Sequence, residues 1–77
     1  MSNYFDKVQE IIINVLNVDR KMVTRESTLK HDLGVDSMDS IDIIMALEKE
    51  FNIDIDENHL DQFIKVEDFV SYIQSNI

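Results

Sequence analysis

The sequence predicts an all-α domain: a small four-helix bundle of three longer helices and one short one, with a long loop between the first two helices. Three observations predict it. Apolar residues return at helical spacing in three separate segments, as a 3.6-residue period requires. The 77 residues contain no proline and one glycine, too few breakers for a tightly turned β-sandwich or a Gly-rich nucleotide loop. Hydrophobic residues make up 44% of the chain, ordinary for a globular fold and too many for disorder. Such a length allows one domain, taken as residues 1–77, that buries only about 60% of its unfolded surface.

The first helix runs from about Asn3 to Leu16. Phe5, Val8, Ile12 and Val15 form its stripe, widened by Ile11 and Leu16. Ser2 or Asn3 can cap it, and Asp6 in the first turn suits the positive end of the helix dipole. From Asn17 to Asp36 the period dissolves. Twenty irregular residues are many for so small a domain, so this loop either carries function or contains a short turn. Met22, Val23, Leu29 and Leu33 are spaced to pin it to the core, and Arg20, Lys21, Arg25 and Lys30 supply four of the seven bases. The second helix starts at Asp36 or Ser37 and ends near Phe51. Asp36 is a good N-cap, and Asp39 completes a capping box with Asp in place of Glu. Gly34 frees the chain before the cap, and Asn52 is a plausible stop. A short third helix lies within about Asp56 to Phe63, turning Leu60 and Phe63 inward. The fourth runs from about Val66 to Gln74, with Val66, Phe69, Val70 and Ile73 at i, i+3, i+4, i+7.

Sixteen acids against seven bases give a net charge of −9, which argues against nucleic-acid binding and for basic protein partners. Nine of the acids and one base fall between Asp32 and Glu57. The negative field therefore sits on the second helix and its flanks, where it repels itself unless the basic loop folds back to offset it. The absence of cysteine excludes disulfides, thiolate zinc sites and a thiol nucleophile. No apolar run approaches a membrane span, and Met1 is followed by polar residues rather than a signal peptide. A soluble, cytoplasmic setting is expected. Asp54, Asp56 and Asn58 imitate the start of a calcium loop, but His59 stands where Gly is needed and Lys65 where Glu is needed, so no EF-hand or defined metal site is expected, which leaves open loose binding of divalent cations to the acidic face. Val35 and Met38 do not fit a G-x-S-x-G elbow around Ser37. His31 and His59 have no ligand pattern, and catalysis is not expected.

Successive residues on the second helix lie 100° apart and sort into two apolar stripes. Ile43, Ile44, Leu47 and Phe51 form a core face; Met38, Ile41 and Met45 form a second stripe roughly 130° away. A peripheral helix seldom buries two faces. Asp39, Asp42 and Lys49 cover much of the remaining surface, with Glu48 beside the second stripe, which is therefore either covered by the long loop or left exposed and rimmed by carboxylates. Exposed apolar patches mark partner sites, and Met suits a surface that accepts several partners. Ser37 stands at the first helical position, where Asp36 already fills the cap and a phosphate would be favoured by the helix dipole and the free N–H groups.

The stretch from Asp32 to Phe51, D-L-G-V-D-S-M-D-S-I-D-I-I-M-A-L-E-K-E-F, resembles the acyl carrier protein signature. That signature is D-L-G-x-D-S-[LM]-D followed by an acidic amphipathic helix ending in Phe. The resemblance is to the discrete, fatty-acid-synthesis type, and it extends along the chain to the V-x-D-hydrophobic-V segment at Val66 to Val70. It implies one acyl carrier domain that catalyses nothing itself. Ser37 would be the covalent attachment point for 4′-phosphopantetheine, delivered from coenzyme A by a phosphopantetheinyl transferase. The arm's thiol would carry growing acyl chains as thioesters. Asp36, Asp39, Asp42 and Glu48 match acidic positions that family members present to basic grooves; Met38, Ile41 and Met45 match apolar partner-contact positions. The implied partners are the transferase, fatty acid synthesis enzymes with basic docking surfaces, and acyltransferases, met by a monomeric carrier. Asp56 departs from the proline of many members, and Leu60, Phe63 and Phe69 are bulkier than usual where the family shelters its acyl chain. An unmodified acidic adaptor that binds basic partners through the second helix is the alternative, differing only at Ser37.

Overall fold

The computed structural model describes residues 4–76, apart from the side chains of Glu57 and His59. Ser2, Asn3 and the surroundings of His59 lie outside the described residues. The periodic segments are three α-helices: α1 (Tyr4–Leu16), α2 (Ser37–Phe51) and α3 (Val66–Ser75). Two 3-10 segments, Arg20–Met22 and Glu57–Gln62, lie in the connections. The fold is all-α, as expected. The short third helix expected within Asp56 to Phe63 is not an α-helix: Glu57–Gln62 is a 3-10 segment. Its six residues are too few to offset α-helical nucleation. They are held instead by Asp56, whose carboxylate accepts the Asn58 N–H at 2.9 Å, and by a bond from the Phe63 N–H to the Leu60 carbonyl at 3.3 Å.

The helices meet at one core. Val8 and Ile12 of α1, Ile43, Ile44 and Leu47 of α2, and Val66, Phe69, Val70 and Ile73 of α3 are buried in a single cluster. α1 is the shared wall, packing against both α2 and α3. Tyr4 meets Phe51 edge-on at 5.8 Å, closing one end of the α1–α2 seam. Phe63 stacks on Phe69 at 4.6 Å and meets Tyr72 edge-on at 5.6 Å, so the 3-10 helix is sealed to α3 by aromatic rings. Asn17 and Asn52 end α1 and α2 at φ 57° and 54°, the left-handed conformation that Asn tolerates after a helix.

The long connection is neither structureless nor peripheral. It contains the 3-10 turn Arg20–Met22, which Gln9 of α1 holds by donating to the Val23 carbonyl at 2.8 Å. Val23, Leu29, Leu33 and Val35 are buried in the common core. Burying one such side chain is worth about 1.5–3 kcal/mol, a large share of the roughly 5–15 kcal/mol by which a domain is stable. Met22 was expected to join them but is 47% exposed. The turn that buries Val23 sends its neighbour outward.

Beyond the turn, the connection docks on the start of α3. Thr28 pairs with Lys65 as an isolated antiparallel bridge, and Leu29 N–H donates to the Ile64 carbonyl at 2.8 Å. Val66 and Glu67, whose N–H groups have no partner within α3, donate to the carbonyls of Ser27 and Arg25 at 3.0 and 3.1 Å. Asp68 accepts from the N–H groups of Ile64 and Lys65 at 2.8 and 2.9 Å. Arg25 adds an ion pair to Glu67 at 2.7 Å and lies over the Phe5 ring at 4.9 Å.

Ser27 is the one polar residue buried among the described residues. Its hydroxyl donates to the Met22 carbonyl at 2.7 Å, accepts from the Thr24 N–H at 3.0 Å, and lies 2.9 Å from the Thr24 hydroxyl. Removing it leaves the part-buried Met22 carbonyl and Thr24 N–H without this partner, at a cost of up to about 1–3 kcal/mol each. Ser27→Ala should therefore lower the urea unfolding midpoint with little change in slope. An unchanged midpoint would show that the hydroxyl network does not hold the loop.

Candidate functional site

The site is built where the docked connection enters α2. Val35 N–H donates to the Leu29 carbonyl at 2.7 Å, so the chain reaches α2 from the segment anchored on α3. Before it, Asp32 and Thr28 bond reciprocally: Thr28 N–H donates to the Asp32 carboxylate at 2.8 Å, and Asp32 N–H donates to the Thr28 hydroxyl at 3.1 Å. Gly34 lies at φ +67°, a conformation that side-chain-bearing residues rarely adopt, although a Cβ there would meet no atom within 4 Å. The backbone bend, not crowding, is what requires glycine.

Asp36 is the N-cap of α2. Its carboxylate accepts the Asp39 N–H at 2.8 Å, and the Asp39 carboxylate accepts the Asp36 N–H at 3.4 Å, completing the expected capping box. The Asp36 carbonyl takes the Ser40 N–H at 2.9 Å. Ser37 is therefore the first helical residue, exposed, with its hydroxyl free of capping duty. Among the described residues, no partner takes the hydroxyl of Ser37 or the N–H groups of Ser37 and Met38.

Met38 and Met45, 75% and 60% exposed, and Ile41 at 44% form an uncovered stripe down α2. Ile43, Ile44 and Leu47 on the other face are buried. The long loop does not cover the stripe because its apolar residues are spent on the core shared with α3.

The five acidic residues of this region have different tasks. Asp36 and Asp39 form the cap. Glu48, expected only on the acidic rim, accepts the Ile55 N–H at 2.8 Å and so anchors the connection after α2, where Ile55 is buried. Glu50 pairs with Lys7 of α1 at 3.2 Å. Asp42 is exposed and has no partner among the described residues. No ion pair joins the basic loop to α2 among the described residues: Arg20 pairs with Glu10 of α1 and Arg25 with Glu67 of α3.

Leu60 and Phe63 are half-buried against the core. They also wall a cleft of about 200 Å³ with Ile64, facing Thr28, Lys30 and His31 across it. Periodicity could not find this cleft, since it arises from backbone pairing between Leu29 and Ile64 across 35 residues of chain. Among the described residues, no group of three or more His, Cys, Asp or Glu is arranged to hold a metal ion, and no helix is long and apolar enough to cross a membrane.

The division of labour between neighbours is measurable. Asp36→Ala should cost about 1 kcal/mol through the lost cap, whereas Ser37→Ala, at an exposed position, should stay within about 0.5 kcal/mol. Thermal melts of the two variants check this, and equal losses would mean that Ser37 shares the capping role.

Residues 6–73 match the family model described as the phosphopantetheine attachment site. The chain is 43% identical to the acyl carrier protein of Helicobacter pylori strain J99, over 94% of this chain and 92% of that protein. It is 38% identical to the acyl carrier protein of Campylobacter lari, over 92% of each. The acyl carrier protein of Porphyromonas gingivalis strain W83 is 38% identical over 100% of this chain and 99% of that one. A match of this extent, over a fold that frees the serine at the head of α2, places the chain in the phosphopantetheine-attachment family, among the acyl carrier proteins.

Proposed function

We propose that Ser37 is the residue to which 4′-phosphopantetheine is attached, and that the exposed stripe of α2 with its acidic rim is where partner enzymes dock. As an acyl carrier protein the chain is not an enzyme; its cofactor is the covalent 4′-phosphopantetheine arm. The observation that carries the Ser37 assignment is the exposed hydroxyl at the first position of α2, released from capping by Asp36. The residues present fit the group. A phosphodiester on the Ser37 oxygen would lie at the positive end of α2, beside the Ser37 and Met38 N–H groups, which no acceptor among the described residues takes. Once bound, the arm supplies a terminal thiol that holds an acyl group as a thioester. The chain supplies the oxygen, the rigid cap beneath it and the surface beside it.

On this reading the partners are the phosphopantetheinyl transferase, fatty acid synthesis enzymes and acyltransferases, each with a basic docking surface. The 77 residues work as one monomeric carrier domain in the cytoplasm. Met38, Ile41 and Met45 supply the apolar contact, and Asp36, Asp39, Asp42 and Glu48 the negative field. The unmodified-adaptor alternative is not favoured, because the family that the chain belongs to is defined by the attachment site.

Incubation with coenzyme A and a phosphopantetheinyl transferase should add one phosphopantetheine to the intact mass, and Ser37→Ala should abolish the adduct. An adduct on the Ala variant would sink the assignment. For docking, Asp42→Lys is the clean charge probe, since Asp36, Asp39 and Glu48 also hold the fold. It should slow arm transfer severalfold more than Glu10→Lys on α1, and added salt should shrink the difference. Equal slowing by both variants would mean that net charge, not a site, is being read.

A further inference from the structure

Methionine is ordinarily buried, yet the three described methionines are all exposed. Two of them, Met38 at 75% and Met45 at 60%, flank Ile41 on the stripe that begins next to Ser37. The third, Met22 at 47%, lies in the 3-10 turn of the loop. The chain contains no cysteine, so a soluble oxidant meeting the unmodified protein finds no thiol ahead of these thioethers.

Resting on the docking reading above, we propose that Met38 and Met45 form an oxidative modification site whose conversion to sulfoxide switches docking on α2 off while leaving the fold intact. The oxidant is a peroxide. The thioether sulfur donates an electron pair to one peroxide oxygen, the O–O bond breaks, and an S–O bond forms. The departing oxygen leaves as water, taking the proton of the transferred oxygen. Sulfur is oxidised by two electrons and the peroxide reduced by two. A thiol-dependent sulfoxide reductase reverses the step: the oxygen leaves as water while two thiols become a disulfide.

The geometry separates the consequence for docking from the consequence for folding. A sulfoxide is polar, and burying it against an apolar partner without a hydrogen-bond donor is costly. The core face of α2 is Ile43, Ile44 and Leu47, none of which can be oxidised in this way. Neither methionine contributes to the buried cluster. Oxidation therefore changes the surface that a partner reads and not the packing beneath it.

The unmodified chain, which has no thiol of its own, is treated with hydrogen peroxide and then offered to the phosphopantetheinyl transferase with coenzyme A. Peptide mass spectrometry should place one added oxygen on Met38 and on Met45 before Met22. The transfer rate, as kcat/KM, should fall about tenfold, with the helical circular dichroism unchanged. Methionine sulfoxide reductase should restore the rate. In M38L/M45L the treated and untreated rates should coincide, whereas in M22L the fall should persist. Ile41→Asn, which no peroxide alters, tests the docking reading separately. If Ile41→Asn slows transfer but the sulfoxide form transfers normally, the oxidation proposal is overturned and the docking reading stands. If neither slows transfer, both are overturned. Loss of helix on oxidation, or a fall that persists in M38L/M45L, also overturns the proposal.

Discussion

The contact on which the rest of this structure depends is the seating of the long connection on the N-terminus of α3. A helix start exposes N–H groups that its own backbone cannot satisfy. Here Lys65 gives α3 no side-chain cap, and the carbonyls of Ser27 and Arg25 take the N–H groups of Val66 and Glu67 instead. That seating fixes Leu29 against Ile64, and Leu29 in turn holds Val35 two residues before Ser37. Thus the position of Ser37 depends on a helix 29 residues further along the chain. The buried Ser27 hydroxyl, bonded to Met22 and Thr24, keeps the connection in the one shape that makes this possible.

The same economy governs α2. Its acidic residues look alike in sequence but divide into those that hold the protein together and those that remain available. Asp36 and Asp39 spend their oxygens on the helix start, and Glu48 spends one on Ile55. Each still contributes negative potential, because a hydrogen bond from a backbone amide does not cancel a charge. Their substitution, however, changes fold and field together. Asp42 alone changes the field. Ion pairs elsewhere, such as Arg25 with Glu67, are exposed and individually weak. Two of the loop's four bases, Arg20 and Arg25, pair with α1 and α3, and among the described residues no ion pair joins the loop to α2.

The helices were legible because a helix that buries one face writes a 3.6-residue period into its own sequence. Val66, Phe69, Val70 and Ile73 are all buried as their spacing required, and the Asp36 capping box was readable from residue types three apart. The second stripe was legible for the same reason, as the apolar residues left over once Ile43, Ile44 and Leu47 had claimed the core, but whether the loop covers it was not. What stayed hidden was set by long-range backbone pairing. Nothing local marks Ser27 as buried, Glu48 as the acceptor for Ile55, or Met22 rather than Val23 as the residue turned outward. The short helix expected within Asp56 to Phe63 is a 3-10 segment instead, since six residues can close 3-10 bonds without completing an α-helix.

An uncovered apolar stripe is ordinarily a hazard, since a second copy of the chain can bury it as readily as a partner can. Charge resolves the conflict. Two copies meeting through α2 would bring their Asp36, Asp39, Asp42 and Glu48 carboxylates together, and juxtaposed like charges cost several kcal/mol. A partner with a basic surface gains from the same field. On the proposed docking reading, this field opposes a second copy and favours a basic partner, for which Met38, Ile41 and Met45 would supply an adaptable contact. The acidity that strains a small core is, on this view, what allows an apolar docking surface to remain open at all.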